Sequence, residues 1–272
     1  KFTNDVATIC YAFMADDVVR MDSASGGAFS ACAQSIISLG GVVCGAAWSD
    51  DCGLTHIVVE KGEDLDKIRG SKYVQSSIGK IFRTIKKYLD SDRWVLFVGT
   101  PCQVDGLLHY NNKNYDKLLT IDLLCRGVPS SGLFKRYLRE SYGNQMPKRI
   151  VQKTKKYAGW GAYTEIEESN GNIQYFSMEN NIWMKAFLSD LMFRDSCYVC
   201  PYPQTKRVGD LSIGDFWQIA KFDKAYDDKK GSGNQAFLAW KNKYMSALRT
   251  WVSQIPDADK MKSRDTDAVA AK

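Results

Sequence analysis

The chain has 272 residues, is 44% hydrophobic and 25% charged, and carries a formal net charge of +6, the balance of an ordinary globular domain and not of a disordered or collagenous one. Eight cysteines are too few for a disulfide scaffold, no run approaches the ~18 apolar residues of a membrane span, and Lys1-Phe-Thr-Asn-Asp5 is no export signal, so free thiols, a cytoplasmic location and no membrane insertion are expected. The positive charge comes with no recognised nucleic-acid motif, and a nucleic-acid partner is not expected.

In chain order, Ser23-Ala-Ser-Gly-Gly27 precedes a helical pattern over 28–39, with Phe29, Cys32, Ile36 and Leu39 at helical spacing and Gly40-Gly41 as its stop. Strands over 42–48 and 55–60 flank the turn Asp50-Asp-Cys-Gly53 as a hairpin. A short helix over 63–68 breaks at Arg69-Gly-Ser71, and 77–89 is an amphipathic helix with Ile78, Ile81, Phe82, Ile85 and Leu89 on one face. A buried-type strand over 94–98, a short helix to 107, a strand over 119–124 and a helix capped by Ser130-Ser131 through 142 follow. This alternation predicts an α/β architecture with a mostly parallel sheet and flanking helices. In such sheets ligands bind at the carboxyl ends of the strands, the edge occupied by Cys102 and Cys125.

After Pro147 the pattern changes: strands over 148–157, 162–168 and 172–177, with Asn170-Gly171 as a hairpin turn, then a helix over 182–193. The Cys197-Tyr-Val-Cys200 loop, strands over 210–217 and 235–240, a helix over 244–252 and a frayed tail beyond Pro256 complete the chain. The expected organisation is α+β overall: an α/β module over 1–146 and an added β-rich C-terminal lobe over 147–272 carrying the CxxC loop, packed as one unit.

Cys10, Cys32 and Cys44 sit among small or apolar residues and are expected to be buried small hydrophobes, and Cys52 a loop thiol. Cys102 in Gly99-Thr-Pro-Cys-Gln103, Cys125 in Cys125-Arg-Gly-Val-Pro129, and Cys197 and Cys200 instead stand in loops and strand ends. Four thiolates converging from three segments suit a 4Fe–4S cluster, with zinc as the rival occupant. Lys148-Arg-Ile-Val-Gln-Lys-Thr-Lys-Lys156 is either a solvated strand face or a landing surface for an acidic coenzyme or electron carrier. His56 and His109 are isolated and are taken as non-catalytic.

Six motifs occur in order: Ser-Ala-Ser-Gly-Gly (23–27), Arg-Gly-Ser-Lys-Tyr-Val-Gln-Ser (69–76), Gly-Thr-Pro-Cys-Gln (99–103), Cys-Arg-Gly-Val-Pro-Ser (125–130), Cys-Tyr-Val-Cys (197–200) and Gly-Asp-Phe-Trp (214–217). Together, across about residues 8–240, they resemble the beta-subunit family of the deazaflavin-coenzyme (F420) hydrogenases and dehydrogenases, both N- and C-terminal modules. The resemblance implies FAD beside a 4Fe–4S cluster and electron transfer to a small-molecule or deazaflavin acceptor. Relatives reduce other substrates, chlorophyll precursors among them, and some are linked with surface-polysaccharide gene sets. The chain departs from many members in lacking a ferredoxin-like segment dense in CxxC, since Cys10 is the only thiol before residue 32. Either a partner supplies those clusters or the chain begins downstream of such a segment, and a ferredoxin-type donor or a partner subunit is expected to supply electrons. The alternative is a redox-inactive, zinc-stapled or cofactor-free binding protein of the same fold.

Within that resemblance, exposed N–H groups at Ser23, Ser25, Gly26 and Gly27 are candidates to hold the FAD pyrophosphate. Lys72, Tyr73 and Ser76 offer a cation, an aromatic face and a hydroxyl to the flavin. Thr100 and Gln103 flank Cys102 as hydrogen-bond donors, Asp215 is a candidate to orient a ligand or ribose, and Trp217 to stack. The metal ligands are Cys102, Cys125, Cys197 and Cys200.

Overall fold

The run Val95–Gly99 carries no polar alternation because it is buried on both faces, and it forms a central strand of a nine-stranded mixed sheet. The computed structural model describes residues 9–13, 15–159, 163–202, 207–215, 234–238 and 262–265. Its strands are β1 (Ile9–Phe13), β2 (Val42–Trp48), β3 (Leu54–Val59), β4 (Ser76–Ser77), β5 (Val95–Gly99), β6 (Leu118–Leu123), β7 (Arg149–Thr154), β8 (Tyr163–Glu167), β9 (Ile173–Phe176), β10 (Leu211–Asp215), β11 (Asn234–Leu238) and β12 (Lys262–Asp265). The helices are α1 (Asp17–Asp22), α2 (Ala28–Ser38), α3 (Ile81–Asp90), α4 (Pro101–Asn111), α5 (Ser131–Tyr142), α6 (Ile182–Leu188) and α7 (Asp195–Tyr198), with a 3₁₀ turn at Gly62–Lys67.

The large sheet runs β12-β1-β11-β10-β6-β5-β2-β3-β4, and β7-β8-β9 form a separate antiparallel sheet. Four strands, β10, β6, β5 and β2, make the parallel centre that the sequence pattern implied. Antiparallel pairs extend it on both sides, β2 with β3 on one and β10-β11-β1-β12 on the other. Strand alternation divides the core into two layers. Val43, Leu96 and Ile121 pack under α2 with Ala33 and Ile36, while Val42, Val95 and Phe97 face α3 and α4 with Ile85 and Leu107. A third cluster of Phe134, Leu138, Ile150, Trp183 and Met184 ties the small sheet to α5 and α6.

Several expected bounds move. Helix α3 begins at Ile81, because Ser76–Ser77 pair with β3 as a short strand instead of opening the helix. The helix expected over 182–193 stops at Leu188, followed by Asp190 in a left-handed conformation (φ 58°) that reverses the chain. The tail expected to fray contains β12, which pairs in register with β1 and so satisfies a backbone edge that would otherwise be open. Strand β1 and helix α1 had no sequence forecast, and the helix expected over 244–252 lies outside the described residues. Among the described residues no helix is long and apolar enough to cross a membrane.

Candidate functional site

Two parallel strands deliver the first two thiols to the same sheet edge. Cys102 stands in the first turn of α4, directly after β5, and is exposed, with its sulfur 3.1 Å from Thr100 Oγ1. Cys125 follows β6, where the Leu124 N–H donates to the Ile213 carbonyl of β10 at 2.9 Å. The CxxC loop is drawn to the Cys125 loop by a backbone bond from Arg194 N–H to the Val128 carbonyl (3.1 Å). The Phe193 ring packs where a side chain on Gly127 would sit, since a Cβ there would lie 2.4 Å from it, and the +146° φ of Gly127 is one that glycine alone adopts readily. Cys197 is half-buried and Cys200 exposed, beside exposed Leu191, Tyr198 and Val199.

The four thiols share one electrostatic neighbourhood. Burial pushes the Cys125 thiol up to about 11, the Gly127 N–H opposes this, and the charges of Cys102, Cys197 and Cys200 raise it further. Tyr202, whose hydroxyl bonds Asp105 at 2.5 Å, is likewise pushed up, by burial, by Asp105 and by the charges of Cys102 and Cys200. Among the described residues no group of three or more His, Cys, Asp or Glu forms a ready-made nest for a metal ion. By the chemistry of its donors, four thiols that can ionise, the set is of the kind that binds a thiolate-held metal group.

A buried polar network that sequence reasoning missed supports this edge from below. Asp122, the penultimate residue of β6, is fully buried and accepts hydrogen bonds from the Val208 and Gly209 N–H groups (2.8 and 2.9 Å) and from both Nε and Nη2 of buried Arg207. Arg207 also donates to Ser212 Oγ and to the Leu123 carbonyl, both at 2.9 Å. Asp210 accepts from the Thr120 N–H and hydroxyl at 2.9 and 2.7 Å. The segment after the CxxC loop is thereby clamped to the strand that leads to Cys125. The only sequence signal was an aspartate inside an apolar strand.

The two inner lysines of the basic stretch are turned away from solvent. Lys153 and Lys155 are only 4% and 1% exposed, because β7 lays its side chains across three of the site motifs. Gln152 Oε1 accepts from the Tyr73 N–H, Lys153 pairs with Asp215, and Lys155 Nζ donates to the carbonyls of Arg20 (2.7 Å) and Ser25 (2.5 Å). The more exposed cations are ion-paired, Lys156 with Asp22, Lys148 with Glu167, and Arg149 with Glu165 and Glu167. The sequence pattern could not separate a solvated strand face from one turned inward onto loops far away in the chain.

At the Ser-Gly-Gly turn, Ser23, Ser25, Gly26 and Gly27 are all buried, and Gly27 (φ 92°) opens α2, which has no side-chain cap. A Cβ on Gly27 would lie 2.8 Å from that of Ala15. Ser23 Oγ donates to the Val19 carbonyl (2.7 Å), and Arg69 Nε reaches Ser30 Oγ in the first turn of α2 (3.1 Å). An uncapped helix start with Arg69 and the Lys155 ammonium close by fits a phosphate. Lys72 is half-buried, and its ammonium donates to the carbonyls of Ile68, Arg69 and Gly70 at 2.8–3.2 Å; desolvation pushes its pKa down to about 7. Burial, and then the charge of Asp215, push the Tyr73 hydroxyl up.

The Gln103 amide is committed within the protein: Oε1 accepts from the Thr100 N–H (3.0 Å), and Nε2 donates to Ser76 Oγ (3.0 Å), linking the Cys102 loop to β4. Phe216 and Trp217 lie outside the described residues. His56, set aside on sequence, is buried against Phe97 with its Nε2 3.1 Å from the Val98 carbonyl, which fixes Nε2 as the protonated nitrogen. Its buried Nδ1 has no partner, and burial lowers its pKa to about 4. His109 sits on α4 with Nδ1 beside the Asp105 carbonyl and is exposed.

The sequence pattern of the family described as the C terminus of the coenzyme F420 hydrogenase/dehydrogenase beta subunit matches residues 92–249. Among solved structures, a chain of the F420-reducing [NiFe] hydrogenase complex from Methanosarcina barkeri superposes with a TM-score of 0.61 at 16% identity, covering 98% of this chain and 84% of that one. At that identity the likeness establishes a shared fold. No curated protein matches the sequence.

Proposed function

This chain belongs to the coenzyme F420 hydrogenase/dehydrogenase beta-subunit family, and from that membership we propose that it is an FAD- and 4Fe–4S-dependent oxidoreductase. It takes electrons from a ferredoxin-type donor or a partner subunit and passes them to a small-molecule or deazaflavin acceptor. What supports this reading is the placement of Cys102 and Cys125 directly after the neighbouring parallel strands β5 and β6, with the CxxC segment hydrogen-bonded to the Cys125 loop. A cluster supplies one-electron transfer and a flavin the exchange between one- and two-electron chemistry.

The residues of this chain do the holding. The four cysteines are the cluster ligands, with Asp122 and Arg207 tying the end of the strand before Cys125 to the segment that follows the CxxC loop. The Ser25-Gly26-Gly27 turn and the start of α2 receive the flavin pyrophosphate, with Lys155 and Arg69 supplying positive charge. Lys72 holds the 68–70 loop and Gln103 ties the thiol loop to β4, so both act by positioning. The donor meets the face where Cys102 and Cys200 are exposed next to Tyr198 and Val199, which moves the docking surface away from residues 148–156.

The test is anaerobic purification followed by iron, sulfide, zinc and flavin analysis of the native protein and of Cys125→Ser. The expected outcome is about four irons and one flavin per chain, with iron lost and flavin kept in the variant. A colourless native protein holding zinc and no flavin would overturn the redox reading in favour of a zinc-stapled binding protein.

A further inference from the structure

At the same carboxyl edge, beyond Ser76, a cavity of about 410 Å³ opens between the β2–β3 turn, β4 and the first turn of α5. That volume lies in the range of small-molecule sites. We propose that it binds a neutral polyhydroxylated molecule, a sugar or polyol, and thereby supplies the substrate class for the oxidoreductase function proposed above, on which this assignment rests.

Half of its described lining residues carry hydroxyls, Ser49, Thr55, Ser76, Ser77 and Ser131, and the Gln75 amide lies beside them. Short hydroxyls both donate and accept, and a cavity lined with them matches a ligand whose own groups do the same. Among the described residues of the lining the only charged side chains, Asp51 and Lys135, pair with each other. Asp51 also accepts from Ser49 Oγ (2.6 Å) and from the Gly53 N–H (3.1 Å), which satisfies its carboxylate within the protein. The lining therefore presents no net charge to a ligand, which disfavours an acid or a phosphate and favours a neutral one. Lys135 has N–H groups left over once the Asp51 bond is made, and ligand hydroxyl oxygens accept from them.

The position is coupled to the candidate redox site through three motifs. Ser76 is held by Gln103 of the Cys102 loop. The Gln75 N–H donates to the Pro129 carbonyl of the Cys125 loop at 2.9 Å, and Gln75 Oε1 accepts from Arg194, just before the CxxC loop, at 2.6 Å. Ser131 begins α5 at the end of that same Cys125 loop. Every thiol-bearing segment thus has a direct hydrogen-bonded or covalent link to the cavity wall.

Saturation-transfer NMR on the whole protein, with glucose and myo-inositol as neutral probes and malate as the acidic one, tests the assignment. The expected result is saturation of glucose or inositol protons with a Kd near or below about 1 mM, little transfer to malate, and at least a roughly fivefold weaker signal in Ser77→Trp and in Ser131→Trp. Ser77 is exposed on a two-residue strand and Ser131 is in the first turn of a helix, so each variant fills the cavity from a different wall, and either one that keeps the native circular-dichroism spectrum suffices. No transfer to either neutral probe, equal transfer to malate, or undiminished transfer in a folded variant overturns the proposal. Binding is measured without an electron donor, and iron and flavin are assayed in the same samples. Sugar binding without cofactors then sinks only the redox reading, whereas cofactors without sugar binding sink only the pocket.

Discussion

The thiol edge and the Ser-Gly-Gly turn lie at the two ends of one design, and they use charge in opposite ways. At the thiol edge the reactive groups are offered to solvent: Cys102 and Cys200 are exposed, while the charged pair beneath the strand that leads to Cys125, Asp122 and Arg207, is buried. At the Ser-Gly-Gly turn the small backbone groups are buried, and a lysine from the separate sheet, Lys155, is drawn in to reach them. The comparison shows that a charged residue's sequence neighbourhood says little about its role. Three residues of β7 and its flank, Gln152, Lys153 and Lys155, lie in what looks like a solvated basic strand yet act as fasteners between distant loops.

The comparison is most directly broken at Asp122. Asp122→Ala leaves the Arg207 guanidinium buried without its carboxylate and the Val208 and Gly209 N–H groups unpaired, and it should cost about 3–5 kcal/mol. Urea unfolding checks this, and a loss below about 1 kcal/mol would show that the network is not the clamp described.

A smaller effect is expected at Gly127. Gly127→Ala forces a Cβ into the Phe193 ring at a backbone angle alanine resists, and should cost about 2 kcal/mol. Iron content should fall while flavin content holds, since the strain separates the Cys125 loop from the CxxC segment and leaves the Ser-Gly-Gly turn untouched. Parallel loss of both cofactors would mean that the two ends are not independent.

His56 gives a pH-dependent test of comparable size. Its folded pKa of about 4 lies below the ordinary 6.5, so the unfolded chain binds a proton that the native protein refuses. The stabilisation is complete above about pH 6.5 and is lost as pH falls towards 4. Lowering pH from 7.5 to 5 should remove about 2 kcal/mol more from the native protein than from His56→Gln, measured by denaturant unfolding at the two pH values. Equal losses would place the imidazole in contact with water.

The smallest effect is expected on the outer face of the basic stretch. Lys148→Gln with Lys156→Gln removes two exposed ion pairs and should change stability by less than about 0.5 kcal/mol. Flavin reduction by reduced ferredoxin should keep its native rate and salt dependence in this variant. A marked slowing would return the docking surface to residues 148–156.

Much of the fold was legible in the sequence because its signals are local. The unbroken apolar run of β5, the largely apolar β6, the helical spacing in α2 and α3, the Ser130 cap of α5 and the Asn170-Gly171 turn each depend on neighbours within a few residues. Cys32 and Cys44 are buried as small hydrophobes as their apolar surroundings implied, and Cys52, expected as a loop thiol, is buried in its turn as well.

What only the tertiary structure decided is which side chains are spent on the protein itself. Lys153 finds Asp215 across 62 residues, Arg207 finds Asp122 across 85, and Lys155 reaches Arg20 across 135. The sequence by itself determined the elements and the candidate ligands, since propensity, capping and loop chemistry act over a few residues. The burial of a charge is decided by the other elements that close over it, because desolvation is tolerated only where a partner from elsewhere in the chain completes the hydrogen bonds.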